Sequence, residues 1–413
     1  MVGTLDTKGA EIAFMADEIQ RLGAHALVLD SGTQGLPVAA ARVDIEREAV
    51  AAAAGSSITE LAKARSRGEA LEIMSDGVRA VVAELHARGQ IQAVICIGGA
   101  GATLVGKAFD ELPIGFPKMI VSPLASGRRT FDMFVGVRDV TVMHSVCDIV
   151  GINPISEPVF RQAAAAVVGM ARAMQQTPDR WSGVAIAATM NGNTTPAVDR
   201  IRRQLGASGL ELVIFHANGV GGRAMEGAVE EGRFSGVLDF TTTELSGHEF
   251  GGMMGSGPDR MEIAGRHALP QVLVPGCIDM LTDGRYDDVA ARFPGRTLYR
   301  HNPELTLIRL DRSQMAHMGE VFARKASSAA GPVRVVVPLG GFSIPDSPGG
   351  AFWDPDADAA FIDALCGGLE GIIEVDCVDA HINDRAFSDR VAAHMLELFV
   401  SDSDAARRAD AHR

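Results

Sequence analysis

The chain has 413 residues, 47% of them hydrophobic and 22% charged, and carries a net charge of -14 at pH 7. That length calls for two or three domains at roughly 100–200 residues each. The acidic balance excludes a general binder of nucleic-acid backbone, yet leaves room for a nucleotide held on backbone N–H groups. Five scattered cysteines with no CxxC pair exclude a disulfide framework and a thiolate zinc site and point to a reducing cytoplasm. With no apolar run of about 18 residues and no basic leader ahead of an apolar stretch, neither a membrane span nor a signal peptide is expected.

Short β-branched runs alternate with longer alanine-rich helical patterns, which predicts βαβ units and parallel sheets. Only Met1 and Val2 precede the first loop, so the first strand is either a stub or continues upstream of this sequence; the second reading is favoured. A helix is predicted over 9–23, a strand over 26–29, helices over 44–54 and 69–87, and a buried strand at Ala93–Ile97 followed at once by Gly98-Gly99-Ala100-Gly101. A strand over 118–121 and a helix over 158–174 complete the first half. The polar segment Gln175–Arg180 breaks that helix and sets the expected boundary, with subdomains at 1–178 and 179–413. The pattern then restarts with strands over 183–188, 212–215, 236–240, 271–274, 333–337 and 372–375, and a helix over 197–205. The expected architecture is α/β, two Rossmann-like subdomains with mainly parallel sheets and an interdomain cleft.

The loops after these strands carry the chemistry. Thr4, Asp6, Thr7 and Lys8 lead into a helix, whose first turn offers N–H groups and a positive dipole end to a phosphate; Asp6 or Thr7 also suits a helix cap. Gly98, Gly99 and Gly101 lie directly after an apolar strand, where small residues admit a ligand or a tightly packed helix. Arg128 and Arg129 offer planar forks to an anion. In the segment from His216 to Glu226, Gly219, Gly221 and Ala224 fit the GxGxx[GA] spacing of dinucleotide turns, and Asp239 lies 20 residues beyond Gly219, where a ribose-binding carboxylate would stand. Asn218, Gly222 and Arg223 belong to the same turn. His216, Glu244 and His301 are the acid/base candidates. The glycine-rich run 251–258 reads as a mobile loop or lid. Neither HExxH nor GxSxG nor GxxxxGK[ST] occurs, which argues against a zincin, an α/β-hydrolase and a Walker A site.

Seven segments in one order resemble a known family: Gly3-Thr4-Leu5-Asp6-Thr7-Lys8-Gly9, the His216–Glu226 stretch, Leu238–Glu244, Gly257-Pro258-Asp259-Arg260, Val274-Pro275-Gly276, Tyr299–Pro303 and His381-Ile382-Asn383-Asp384. The family is that of the ATP-binding inhibitor domain of the tomato mosaic virus resistance protein, whose bacterial and fungal members are largely uncharacterised. The resemblance implies two α/β subdomains, ATP binding, a Mg²⁺ companion and a homodimer. The plant protein's binding of a viral replication protein does not transfer to a chain like this one. A metal-ligand set is not legible. The leading expectation is an ATP-using or ATP-regulated protein acting on a small metabolite. The alternatives are an NAD(P)-dependent oxidoreductase and a nucleotide-gated protein-binding regulator without turnover, in each case with no nucleic-acid and no membrane partner.

Overall fold

The computed structural model describes residues 1–410 apart from 36, 38–41, 100, 103–105, 107, 127–134 and 177–183. The chain divides into two compact units, Met1–Arg180 and Trp181–Arg413. The boundary expected at 178/179 and the Arg128–Arg129 fork both lie outside the described residues.

The first unit is a five-stranded parallel sheet in the order β2-β1-β3-β4-β5. Its strands are β1 (Val2–Gly3), β2 (Leu29–Asp30), β3 (Val94–Ile97), β4 (Lys118–Ser122) and β5 (Val140–His144). Its helices are α1 (Leu5–Arg21), α2 (Arg47–Ala53), α3 (Ile58–Leu61), α4 (Arg67–Ala87) and α5 (Ser156–Gln176). Alternate residues of β3 face opposite ways. Val94 and Cys96 pack with Val50, Met74 and Val78 of α2 and α4, while Ile95 and Ile97 pack with Ile12, Met15 and Phe160 of α1 and α5. A strand covered on both faces must be apolar throughout, which is why β3 reads as an unbroken hydrophobic run.

The second unit holds a six-stranded parallel sheet in the order β14-β13-β9-β8-β6-β7. These are β6 (Val184–Met190), β7 (Leu210–His216), β8 (Gly236–Thr241), β9 (Gln271–Gly276), β13 (Val333–Pro338) and β14 (Val375–Val378). A separate antiparallel sheet, β10 (Met280–Asp283), β12 (Thr306–Arg309) and β11 (Leu298–Arg300), follows β9. The helices are α6 (Thr195–Ala207), α7 (Gly221–Glu230), α8 (Thr243–Glu249), α9 (Ile263–Arg266), α10 (Tyr286–Arg292), α11 (Arg312–Ser327), α12 (Pro355–Leu369) and α13 (Arg385–Asp410). Val335 and Val337 of β13 face Phe322 of α11 and Phe361 of α12, and Val336 faces the Ile201 and Val391 side of α6 and α13.

Counted in chain order within each unit, both parallel sheets begin 2-1-3-4-5. The second strand pairs on one side of the first and all later strands add on the other. The crossover helices therefore diverge between the first and third strands, and the carboxyl ends of those two strands are where doubly wound sheets bind ligands. That point is β1/β3 in the first unit and β6/β8 in the second. Among the described residues no helix is long and apolar enough to cross a membrane.

Candidate functional site

At β1/β3 the chain turns from Gly3 straight into α1, which starts at Leu5 rather than near Gly9. Neither Asp6 nor Thr7 caps it. The N-cap is Thr4, whose side chain makes no cap bond, and Asp30 at the end of β2 takes that part: its Oδ1 accepts from Leu5 N at 3.0 Å and from Gly32 N at 2.8 Å. Burial pushes the Asp30 carboxyl above the usual carboxylate range. Asp6 instead ties the next loop down, its Oδ2 accepting from Gln34 N at 2.9 Å. Lys8 sits at a non-helical kink in α1 and donates its Nζ to the carbonyl of Ile149. The side chains turned outward are Thr4 and Thr7, their hydroxyls 2.9 Å apart and exposed.

The β3 turn meets this one. Gly101 approaches the Thr4 methyl, a Cβ there lying 3.8 Å from it, while a side chain on Gly99 would meet none of the described residues within 4 Å. Thr4, Thr7, Gly98, Gly99 and Gly101 thus share one edge, while Asp6 and Lys8 are bonded to the Gln34 and Ile149 loops. At the ends of β4 and β5, Ser126 Oγ and His144 Nε2 lie 3.3 Å apart.

The second unit uses its corresponding edge differently. Thr194 and Thr241 join hydroxyls at 2.8 Å across β6/β8, and Thr189 Oγ1 donates to Asp239 Oδ1 at 2.7 Å. Asp239 and Glu244 both serve Arg260, which is fully buried. The guanidinium forks onto both Asp239 oxygens, and its Nε donates to Glu244 Oε2 at 2.7 Å. Glu226 stands 3.8 Å away, its carboxyl pushed up to about 7 by burial, against the pull of Arg260. Glu244 Oε1 accepts from Gly219 N at 2.8 Å and Gly222 N at 3.1 Å. The anion at the start of α7 is therefore the protein's own carboxylate, at the place where a dinucleotide turn would hold pyrophosphate. Asp239, expected to read a ribose, is bound to Arg260 and Thr189.

The glycines of that turn serve packing. A Cβ on Gly221 would run into the His216 carbonyl, and one on Gly222 into Glu244 Oε2 and Arg260 Nε. Gly222→Ala is accordingly expected to cost about 1–3 kcal/mol in urea unfolding. Gly206→Ala, in α6 with nothing within 4 Å of the new Cβ, is expected to be neutral or slightly stabilising.

Asn218 closes an Asx turn onto Val220 N and Gly221 N. His216, at the end of edge strand β7, and Arg223 are exposed. His301 is exposed in the turn between β11 and β12, its N–H bonded to the Leu305 carbonyl. Among the described residues no hydrogen bond or ion pair joins His216, Glu244 and His301, so the geometry gives no acid/base set. The glycine-rich run 251–258 is docked rather than lid-like: Gly252 N bonds Gly247 O at 2.8 Å and Met253 N bonds Thr282 O at 2.9 Å. Gly247 and Gly255 allow that backbone to lie directly against α8.

Sequence reasoning placed Arg260 in a family segment without giving it a role, and missed Asp30. Arg260 had a signal, being the sole Lys or Arg between Arg233 and Arg266 in a stretch that buries Asp239 and Glu244. Asp30 gave none beyond its place at the end of a strand.

Residues 1–176 match the N-terminal domain, and residues 184–399 the C-terminal domain, of the uncharacterised protein family UPF0261. The chain belongs to the UPF0261 family. A UPF0261 protein of Clostridium tetani is 36% identical over 96% of this chain and 98% of its own length, and one of Rhizobium meliloti is 37% identical over the same shares. The ToMV susceptible protein tm-1(GCR26) of Solanum lycopersicum is 34% identical over 80% of this chain and 45% of its own length. The UPF0261 members and the tomato protein bear out the resemblance drawn from the motifs. A Streptomyces glycosyltransferase structure, SsfS6, aligns at a TM-score of 0.18 and 10% identity, over 93% of this chain and 97% of its own, a likeness too low to carry an argument.

Proposed function

We propose that this chain binds a nucleotide, with ATP the first candidate, at the carboxyl ends of β1 and β3. The observation that carries the reading is the convergence there of two glycine-bearing turns. The hydroxyls of Thr4 and Thr7 and the bare backbone of Gly99 lie together where the helices of the sheet diverge. The corresponding edge of the second unit is closed by its own Thr–Thr and Glu–N–H contacts, which favours the first unit. The tomato relative fits the same reading through the ATP-binding family that the motifs resemble.

Mg²⁺ belongs to this proposal as a companion of the phosphates. It keeps most of its waters and takes one or two protein oxygens, and Thr4 and Thr7 would supply them. Among the described residues no group of three or more His, Cys, Asp or Glu is arranged to hold a metal by itself. A homodimer is likewise proposed, to be read from the mass in solution by light scattering.

The test is a thermal-shift screen of the full chain with ATP, ADP, NAD and NADP, each with and without Mg²⁺. A ligand at about 100 times its dissociation constant stabilises by about 2.7 kcal/mol. ATP is expected to raise Tm, and Gly99→Val, which covers that backbone, is expected to abolish the shift while leaving the unliganded Tm unchanged. A shift with NAD or NADP alone would overturn the reading.

A further inference from the structure

Beside the turn after β2 lies a cavity of about 420 Å³, within the range of small-molecule sites. One wall is apolar, from Ile58, Leu61 and Ala70; Gln34, Arg47 and Arg67 bring polar groups to it. This composition, an apolar wall facing polar and cationic side chains, suits a nucleobase and its sugar.

Its position follows from the sheet order. β2 neighbours β1, so a ligand with its phosphates on the β1 turn has the β2 end as its next support. The turn between them is held from two sides: Asp6 of α1 accepts from Gln34 N at 2.9 Å, and Arg47 of α2 donates to the carbonyls of Gln34 and Gly35. Leu71 of α4, the residue after cavity residue Ala70, lies 3.9 Å from where a Gly101 Cβ would stand, so α4 runs from the cavity to the phosphate edge.

We infer that this cavity receives the nucleoside half of the ligand, so that the chain selects nucleotides over plain polyphosphates. The inference rests on the nucleotide reading above and goes beyond it by naming where selection happens. Arg67, exposed at the start of α4, and Gln34 meet the polar edge of the base or the sugar hydroxyls, while Ile58 and Leu61 cover its face.

The test compares ATP with inorganic tripolyphosphate by isothermal titration on the full chain. Ala62 and Ala64 also line the cavity and are not fully buried, so Ala62→Trp and Ala64→Trp fill it from the chain between α3 and α4. Each variant is expected to weaken ATP binding at least tenfold and to leave tripolyphosphate binding and the circular-dichroism melt unchanged. ATP affinity unaltered in both variants, with Gly99→Val still abolishing it, would overturn the inference and keep the phosphate site. Equal losses for ATP and tripolyphosphate would also overturn it. If the unaltered chain binds neither probe, the nucleotide reading itself falls and takes this one with it.

Discussion

Arg260→Met is expected to destabilise the second unit by at least about 3–5 kcal/mol, a large part of the roughly 5–15 kcal/mol that holds a domain together. The guanidinium is fully buried, as are Asp239 and Glu244, and its attraction offsets the desolvation of both carboxylates and part of that of Glu226. Methionine fills much of the volume but leaves those acids without a counter-charge. Glu226, already raised to about 7 by burial against the pull of Arg260, then rises further, so the loss should be larger at pH 8 than at pH 5. The damage also reaches the backbone, because Glu244 Oε1 holds Gly219 N and Gly222 N and so fixes the start of α7. The combination Arg260→Met with Asp239→Asn and Glu244→Gln is expected to recover part of the loss, since both amides keep an acceptor where the acids had one. Urea unfolding followed by circular dichroism reads all three proteins. A midpoint for Arg260→Met equal to that of the unaltered chain would show that the network carries no stability.

The same network explains which parts of the molecule were legible from sequence. Strands such as β3, β8, β9 and β13 are covered on both faces, so their apolar runs announced them and with them the loops at their carboxyl ends. β5, with a half-exposed face, and the three- and four-residue strands β10 to β12 carry polar residues in so short a span that no run or alternation stands out. Helix α1 begins at Leu5 because its first free N–H is met by Asp30, 25 residues away. A cap that comes from another strand leaves no local pattern. Glu244 looked like a base because it follows a strand in a polar segment, and Asp239 looked like a ribose ligand because its spacing was right. Only their distances to Arg260, 16 and 21 residues on, reveal the ion network. The dinucleotide spacing was a true signal of a tight strand–helix turn, since that backbone geometry needs glycine whether a pyrophosphate or the protein's own carboxylate occupies the helix start.

Asp346→Asn is expected to remove the pH dependence that this residue contributes within a second buried cluster at the carboxyl end of the same sheet. One guanidinium, Arg309 of β12, faces three acids: Asp358 of α12 at 2.5 Å, Asp346 of the β13–α12 loop at 3.9 Å, and Asp279 after β9. A single positive charge cannot neutralise all three. Burial first, then repulsion from Asp279 and Asp358, pushes Asp346 up to about 9 against the pull of Arg309. Burial likewise raises Asp358 to about 6, and raises Asp279, which also accepts from Ser343 Oγ at 2.8 Å and lies near His381. Folded Asp346 thus keeps a proton that the unfolded chain, with an ordinary carboxyl near 3.8, has already released. Its contribution to stability is complete below pH 4 and is lost as pH rises toward 9, by at most about 1.4 kcal/mol per pH unit. Asparagine stays neutral throughout. Its oxygen still accepts from Phe342 N, the bond that closes the turn after β13 at 2.8 Å. The two proteins should therefore have similar urea midpoints below about pH 4, and the variant should be the more stable by a margin that widens through pH 5 and pH 7 to pH 9. Parallel curves across that range would mean that Asp346 ionises in the folded chain as an ordinary carboxylate.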